Sequence, residues 1–270
     1  MTEATRSSAD TAIVRLEVRD HVAHLTLARA EAANTMNLEF GREFLAAAIA
    51  IRTDPSVRAV LLSGEGKNFC FGGDLRGMVA SGGDIAAFLT ELTTNLHAGI
   101  AHLMRASAPL IAAVNGTAAG AGLGLVLAAD LAIAARSAKF APAYTGVGLT
   151  PDASCTFLLP RAVGYKRAME LFLTNRVLGA EQALDWGLVN QVVDDGALAE
   201  TAAALAIRLA AGPTGAYGAL KALLAESEPG LEGQLARESR TIAERGVSAE
   251  GREGIAAFLE KRTPLFGRPG

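Results

Sequence analysis

The stretch "PLIAAVNGTAAGAGLGLVLAADLAIAA", residues 109–135, decides the fold. Its first six residues are apolar and predict a buried strand that Asn115 and Gly116 stop. Closely spaced glycines then lead into a helix that we expect to end near Ala129, and "LAIAA" (131–135) predicts a second buried strand. Because a strand, a glycine loop, a helix and a strand follow one another, the sequence predicts α/β architecture with crossover connections.

The flanking segments extend this pattern in both directions. Apolar periodicity predicts a hairpin over 13–27, helices over 38–52 and 85–105, and a strand over 57–64. From about Asp195 onward the sequence predicts helices and no strands. We therefore expect a flexible tail over 1–12, an α/β core over 13–195 and a C-terminal helical region over 196–270.

Composition excludes several classes of protein. The 270 residues carry a net charge of -3, which is not the footprint of a nucleic-acid binder. No apolar run is long enough to span a membrane, and the first residues lack the pattern of a signal peptide. Cys70 and Cys155 fit no disulfide framework or metal-ligand spacing. The sequence therefore predicts a cytoplasmic protein that binds neither nucleic acid, membrane nor metal.

Two glycine-rich loops, each following a predicted strand, carry the functional signal. "FCFGGD" (69–74) is one, and "GTAAGAGLG" (116–124) is the other. The second loop has the spacing GxGxG instead of the dinucleotide pattern GxGxxG, and no Walker lysine follows it. Glycine loops can aim backbone amides at one point, where they stabilise an oxyanion that develops on a thioester. For Gly120 and Gly122 the alternative is close helix packing.

Five motifs in order resemble the enoyl-CoA hydratase/isomerase, or crotonase, family. They are "GEGKNFCFGGDL" (64–75), "AAVNGTAAGAGLGLVLAADLAIAA" (112–135), "GLTPD" (148–152), "RAVGYKRAMELFLTNRVLGAEQALDWGLVNQVV" (161–193) and "GIAAFLEKRTPLF" (254–266). The resemblance implies a spiral of ββα units with an acyl-CoA site and C-terminal helices that assemble a homotrimer or a hexamer. It implies no cofactor beyond the CoA moiety of the substrate.

The resemblance also assigns residues to the site. It places the oxyanion-binding amides at Phe71 and Ala121. Residues implied to bind the acyl-CoA substrate are Arg29, Ala32, Ala33, Lys67, Gly72, Gly73, Asp74, Leu75, Gly120, Gly124, Tyr144, Phe258 and Lys261. For Phe258 and Lys261 the alternative is an ordinary amphipathic helix face.

The chain departs from the family at the two glutamates that hydratases use. Gly124 and Tyr144 stand at those places. Since general acid–base catalysis of water addition needs such carboxylates, the sequence argues against hydration. Asp152 offers a different carboxylate, and its alternative role is the N-cap of the following helix. By resemblance to epoxyphenylacetyl-CoA isomerases, Asp152 is the acid/base of an acyl-CoA isomerase, which is our leading prediction.

A second interpretation rests on a resemblance to 4-chlorobenzoyl-CoA dehalogenases. It implies that Asp152 attacks an aromatic ring, that His97 helps water to hydrolyse the resulting ester, and that Tyr144 packs on the ring. The alternative for His97, which lies in a helical pattern, is a packed or surface residue. A third possibility is a CoA-binding member of the fold without catalytic activity.

Overall fold

The computed structural model describes residues 12–80, 82, 84–227 and 230–267. Most of the tail predicted over 1–12 lies outside these residues. Within them, nine strands form two sheets. The strands are β1 (Val14–Arg19), β2 (Val22–Leu27), β3 (Ala59–Gly64), β4 (Leu110–Val114), β5 (Thr117–Ala119), β6 (Leu131–Ala135), β7 (Lys139–Ala141), β8 (Leu178–Gly179) and β9 (Gln191–Val193).

The larger sheet has the order β1-β2-β3-β4-β6-β9. Its first pair is antiparallel, as predicted for the hairpin, and the other pairs are parallel. The smaller sheet consists of three very short strands in the order β5-β7-β8. Crossover connections between parallel neighbours give the α/β architecture that the sequence predicts.

The part of the chain described also contains eleven α-helices. They are α1 (Leu38–Thr53), α2 (Leu75–Ala80), α3 (Ile85–Met104), α4 (Ala121–Ala128), α5 (Cys155–Val163), α6 (Tyr165–Thr174), α7 (Ala180–Asp185), α8 (Leu198–Ala210), α9 (Thr214–Ala225), α10 (Leu231–Gly246) and α11 (Ala249–Leu259). The helices predicted over 38–52 and 85–105 are confirmed to within one residue at each end.

The core lies on both faces of the larger sheet. All five residues of β4 are buried, as expected for a central parallel strand covered on both sides. One face packs against α1 and α3, whose apolar stripes share one cluster with β2, β3 and β4. The small side chains of α8, such as Ala202 and Ala206, cover the other face. This packing holds the C-terminal ends of β3 and β4 side by side.

The two glycine loops begin at those neighbouring strand ends. β3 and β4 pair in parallel register, with Leu62 opposite Ala112. A bridge between Cys70 and Ala118 then ties the loops together. In open parallel sheets the carboxyl ends of the strands are the place where ligands bind. The fold therefore brings both loops to the edge where a site is expected.

The C-terminal residues from Leu198 to 267 are helical wherever the structure describes them as regular. Arg58 docks this region, because its Nε donates to the Ala210 carbonyl at 2.6 Å and its Nη2 to the Gly212 carbonyl at 2.6 Å. The Lys221 ammonium donates to Asp130 Oδ2 at 2.7 Å. The domain division over 13–195 and 196–270 stays a prediction. Among the helices described, none combines the length and apolar character needed to cross a bilayer.

Candidate active site

The two glycine loops approach each other so closely that side chains could not fit between them. A methyl group added at Gly72, which has a left-handed φ of +80°, would lie 2.8 Å from the Ala119 carbonyl oxygen and 2.9 Å from Ala121 N. One added at Gly122 would lie 2.1 Å from the Cys70 carbonyl oxygen. The glycines therefore allow both close packing and the convergence of two backbone segments.

The backbone amides at this junction differ from the predicted pair. The Phe71 N–H donates to the Ala33 carbonyl at 3.1 Å, so it is already engaged and cannot be the oxyanion donor. Among the described residues, no acceptor contacts the N–H groups of Gly73 and Ala121. Ala121 is the first residue of α4, where the amide has no partner within the helix and the dipole favours negative charge. The candidate oxyanion donors in this structure are therefore Gly73 and Ala121, and Phe71 is not one of them.

A cavity of about 240 Å³ opens on these amides. Its walls are mostly apolar and come from the two loops, from α2 and α3 and from the segment before α5. Lining residues are Met36, Phe71, Gly73, Leu75, Met78, Leu89, Leu92, Thr93, Leu96, Gly120, Ala121, Ala143, Tyr144, Val147, Leu149, Thr150 and Asp152. Asp152 supplies the only carboxylate in this lining.

Asp152 lies in the turn that leads into α5, and it does not cap that helix. The cap position is Ser154, which makes no side-chain cap bond, so the N-cap interpretation is wrong. Asp152 Oδ1 accepts a hydrogen bond from the Tyr144 hydroxyl at 2.7 Å, and Oδ2 lies 3.2 Å from His97 Nε2. Ala153 and Ser154 both have positive φ, +48° and +69°. Such conformations persist only where surrounding contacts hold them, which is common at functional sites.

Tyr144 is buried in the cavity wall behind the carboxylate. Burial raises the pKa of its phenol far above the usual value, and the nearby Cys155 and Asp152 raise it further. Burial likewise raises the pKa of the Cys155 thiol to about 12. Tyr144 therefore stays neutral and acts as a permanent hydrogen-bond donor to Asp152. Its ring lines the cavity, as the predicted packing on an acyl group requires.

Gly124 makes room for the turn that carries Asp152. A Cβ at this position would lie 2.2 Å from the Ala153 carbonyl oxygen and 2.8 Å from Ala153 Cβ. The backbone after Asp152 therefore occupies the space that a side chain at position 124 would need. A glutamate at position 124 and the present path of the Asp152–Ala153 backbone therefore exclude each other.

His97 reaches the site from α3 although it does not line the cavity. Its Nε2 accepts a hydrogen bond from the Ala153 N–H at 3.2 Å and lies at the same distance from Asp152 Oδ2. The side chain is 46% exposed. His97 is therefore a surface residue, and it also contacts the candidate acid/base Asp152. The sequence had left open whether His97 is a surface residue or part of the site.

The predicted CoA-binding residues fall into two groups. Arg29 pairs with Asp74 at 2.8 Å beside the loop that bears Gly73. Partial burial opposes ionisation of Asp74, but hydrogen bonds from the Gly77 N–H and Arg29 outweigh it and lower the pKa. Lys67 is exposed, and Ala32 and Ala33 lie in the turn that accepts the Phe71 amide. Leu75 and Gly120 line the cavity.

Phe258 and Lys261 lie elsewhere on the chain. Phe258 is 83% exposed near the end of α11, and Lys261 follows that helix with a left-handed φ of +53°. Neither residue lines the cavity in the single chain. Their contact with CoA stays a prediction that requires a neighbouring copy of the chain.

Asn34 supports the first glycine loop and the turn that leads into it, although no sequence motif points to this residue. It is fully buried, and its Nδ2 donates to the carbonyl oxygens of Glu65, Asn68 and Phe69 at 2.9–3.0 Å. Its Oδ1 accepts from the Arg29 N–H at 2.9 Å. A left-handed φ of +55° suits asparagine better than most residues. A lone asparagine in a loop gives no pattern that would have revealed this role.

Replacing Asn34 by alanine should destabilise the protein strongly. One buried carbonyl, two partly buried carbonyls and one partly buried amide lose this partner, and an unsatisfied buried group costs roughly 1–3 kcal/mol. We therefore expect the free energy of unfolding, measured by urea denaturation, to fall by about 3 kcal/mol or more. Asn115→Ala is the matched control because its Nδ2 makes one exposed bond, to the Gly66 carbonyl. An equal loss in both variants would contradict the role of Asn34.

Comparison with known proteins identifies the family of this chain. The sequence model of the family described as "Enoyl-CoA hydratase/isomerase" matches residues 17–269. The chain is 42% identical to 1,2-epoxyphenylacetyl-CoA isomerase of Escherichia coli (strain K12), covering 92% of this chain and 96% of that one. It is 36% identical to 4-chlorobenzoyl coenzyme A dehalogenase-2 of Arthrobacter sp, covering 92% and 91%.

Proteins named as hydratases are also matched. Several are 35–42% identical over similar lengths. A solved structure of an enoyl-CoA hydratase from Polaromonas sp. JS666 superposes with a TM-score of 0.88 at 34% identity, covering 93% of this chain and 98% of that one. The similarity therefore extends over nearly the whole chain, while the named reactions differ.

Proposed function

Because the chain belongs to the enoyl-CoA hydratase/isomerase family, we propose that it isomerises an enoyl- or related acyl-CoA thioester, with Asp152 as the acid/base. One observation carries this proposal. A single carboxylate faces an apolar cavity that also receives two unengaged amides, those of Gly73 and Ala121. This is the set of groups that a double-bond shift requires.

The proposed reaction begins with the thioester carbonyl oxygen at the two amides. Asp152 takes a proton from one carbon of the acyl group, the electron pair of that C–H bond forms a new C=C bond, and the π electrons of the carbonyl bond move onto its oxygen. The Gly73 and Ala121 amides stabilise the resulting (di)enolate, aided by the N-terminus of α4. Asp152 then returns the proton to another carbon as the double bond moves. No water is added in either step.

Hydration is disfavoured by the same geometry. By the family resemblance, Gly124 and Tyr144 stand at the places of the two hydratase glutamates, and Tyr144 here donates a hydrogen bond to Asp152. A glutamate at position 124 would collide with the Ala153 backbone. A second carboxylate therefore could not be added there without displacing the first.

The cavity favours a compact apolar acyl group. Its volume is about 240 Å³, and its wall is mostly leucine, methionine, phenylalanine and valine. A cavity of about 150 Å³ with a similar lining is enough to hold benzene. We therefore expect short or aromatic acyl groups to react better than long straight chains.

A second candidate is an aryl-CoA dehalogenase, and the contact between His97 and Asp152 favours it. In that reaction Asp152 would attack the ring carbon that bears the halogen and expel halide. Water, activated by His97 at 3.2 Å from the carboxylate, would then hydrolyse the aryl ester. The aromatic ring of the substrate would pack against Tyr144, which lines the cavity.

Assembly and ligands complete the proposal. We expect a homotrimer or a hexamer in solution, with the CoA moiety of the substrate as the only cofactor. Large apolar side chains on the C-terminal helices support assembly, since Leu231, Ile242 and Phe258 are at least 73% exposed. A neighbouring copy would bury these side chains and could bring Phe258 and Lys261 to the CoA.

Turnover of a panel of CoA thioesters tests the proposed function. The panel contains 2-enoyl, 3-enoyl, dienoyl, epoxyphenylacetyl and halobenzoyl thioesters. We expect isomerisation of a 3-enoyl, dienoyl or epoxyphenylacetyl substrate and little hydration of the 2-enoyl one. Halide release from the halobenzoyl thioester would establish the second candidate instead, and rapid hydration of the 2-enoyl thioester would contradict both.

A further inference from the structure

The two oxygens of the Asp152 carboxylate have different partners. Oδ1 accepts the Tyr144 hydroxyl at 2.7 Å, and Oδ2 lies beside His97 Nε2. The phenol cannot ionise at ordinary pH because burial raises its pKa. Tyr144 therefore keeps its proton and occupies Oδ1 at every stage. A proton taken from the substrate is then carried on Oδ2.

The contact with Ala153 determines which nitrogen of neutral His97 carries the proton. The Ala153 N–H donates to Nε2, and a ring nitrogen that accepts a hydrogen bond has no proton of its own. Neutral His97 is therefore protonated on Nδ1. In this state His97 gives no proton to Oδ2, which leaves that oxygen free to act as the base.

After Asp152 has taken the substrate proton, Oδ2 becomes the hydrogen-bond donor and His97 Nε2 the acceptor. Oδ2 then carries a hydrogen that can be donated to Nε2 across 3.2 Å. The His97 side chain is 46% exposed, compared with 29% for Asp152. Water can therefore reach the imidazole more easily than the carboxylate. The histidine gives a captured proton a path out of the cavity.

We propose that His97 shares the proton that Asp152 removes and lets it exchange with bulk water before it returns to the substrate. The proposal rests on the proposed isomerase function. The proton passes from Oδ2 to Nε2, and the imidazolium formed gives this same Nε2 proton to water at its exposed edge. A solvent proton then binds to Nε2 and passes back to Oδ2 and to carbon. Protons balance, and no other reactant is needed. His97 acts through Asp152 and is thus a positioning residue.

Isomerisation in D₂O tests this role. Wild type should give product that contains solvent deuterium at the reprotonated carbon. His97→Gln keeps an oxygen that can accept the Ala153 N–H, but an amide cannot take up the proton. We expect the deuterium content per product molecule to fall at least about fivefold in this variant, whatever happens to kcat. His102→Gln, a change in the same helix at a histidine that contacts Arg52, should leave the content unchanged.

Two results would overturn the proposal. Equal deuterium content in wild type and His97→Gln would show that exchange does not pass through His97, and a wild-type product without deuterium would show that no exchange occurs. A second measurement needs no substrate, so it tests the role of His97 independently of whether the protein is an isomerase. Nitrogen-15 NMR of the His97 ring should show the Nδ1–H tautomer, and the Nε2–H tautomer would reject the sharing geometry even if no thioester is turned over.

Discussion

Asp152→Asn is expected to lower kcat for double-bond isomerisation by about 10²–10⁴-fold, the range that general acid–base catalysis contributes. The amide has nearly the shape of the carboxylate and can still accept the Tyr144 hydroxyl at its oxygen. It cannot take up or return a proton. Because Asp152 supplies the only carboxylate in the described lining of the cavity, no other side chain there can replace it. Steady-state kinetics with the best substrate of the thioester panel measures the loss.

Binding and stability should change much less than turnover. We expect calorimetry to show similar affinity of Asp152→Asn for the CoA thioester, and thermal unfolding to show a folded protein. Glu91→Gln is the matched control, since Glu91 pairs with Arg42 outside the cavity. Full isomerase turnover by Asp152→Asn would remove Asp152 from the reaction. A parallel loss in Glu91→Gln would mean that the effect is general.

Ala121→Pro should be the second most damaging substitution, with kcat lowered by about 10²–10³-fold. Proline at the first position of a helix is well tolerated, because the N–H that it lacks has no partner within the helix. Ala121 is the first residue of α4, and Gly120 before it lies outside the helical region, with φ 54° and ψ -127°. The substitution therefore deletes one oxyanion donor while it leaves the helix intact.

Ala121→Gly distinguishes the contribution of the Ala121 backbone N–H to catalysis from that of its methyl group. Glycine keeps the N–H, so its kcat should stay well above that of Ala121→Pro. Circular dichroism of both variants checks that α4 and its surroundings still fold. Similar kcat values for the two variants would contradict the role of the Ala121 amide, since only the proline lacks it.

The fold was largely predictable from the sequence because its signals are local. The hairpin, the long helices α1 and α3 and the buried strands β3, β4 and β6 each carry apolar periodicity over several residues. The strands β5, β7, β8 and β9 were missed because they have only two or three residues and are defined by pairing with distant segments. The helix α2 was not predicted, because six residues are too few for a clear apolar period.

The site was predictable in its residue types and less so in its geometry. Asp152 and Tyr144 were found because they stand in recognisable motifs, and their hydrogen bond appears only in the folded chain. The predicted oxyanion donor was Phe71, and the structure favours Gly73, because only the hydrogen bonds of the folded chain show which amide is free. Which amide stays free depends on the Ala33 carbonyl, 38 positions away from Phe71, and no sequence pattern reports that contact.

Gly124 shows how much the structure adds to a sequence difference. From the sequence it is a missing glutamate, which argues against hydration. In the fold, the Ala153 carbonyl would lie 2.2 Å from a Cβ at this position. The absence of a side chain is therefore what allows the Asp152 turn to approach α4. The absence of a glutamate at position 124 is thus also a condition for the position of Asp152.

In the proposed reaction Asp152 moves a proton, and no oxygen from water enters the product. A single turnover of wild-type protein in oxygen-18 water, with excess protein over the best thioester of the panel, tests this most directly. Mass spectrometry follows both the acyl product and the peptide that contains Asp152. We predict an isomerised acyl group and an Asp152 peptide that are both free of oxygen-18. Oxygen-18 in the acyl group would indicate hydration, and oxygen-18 in the Asp152 peptide would indicate an aspartyl ester, so either result would contradict this prediction.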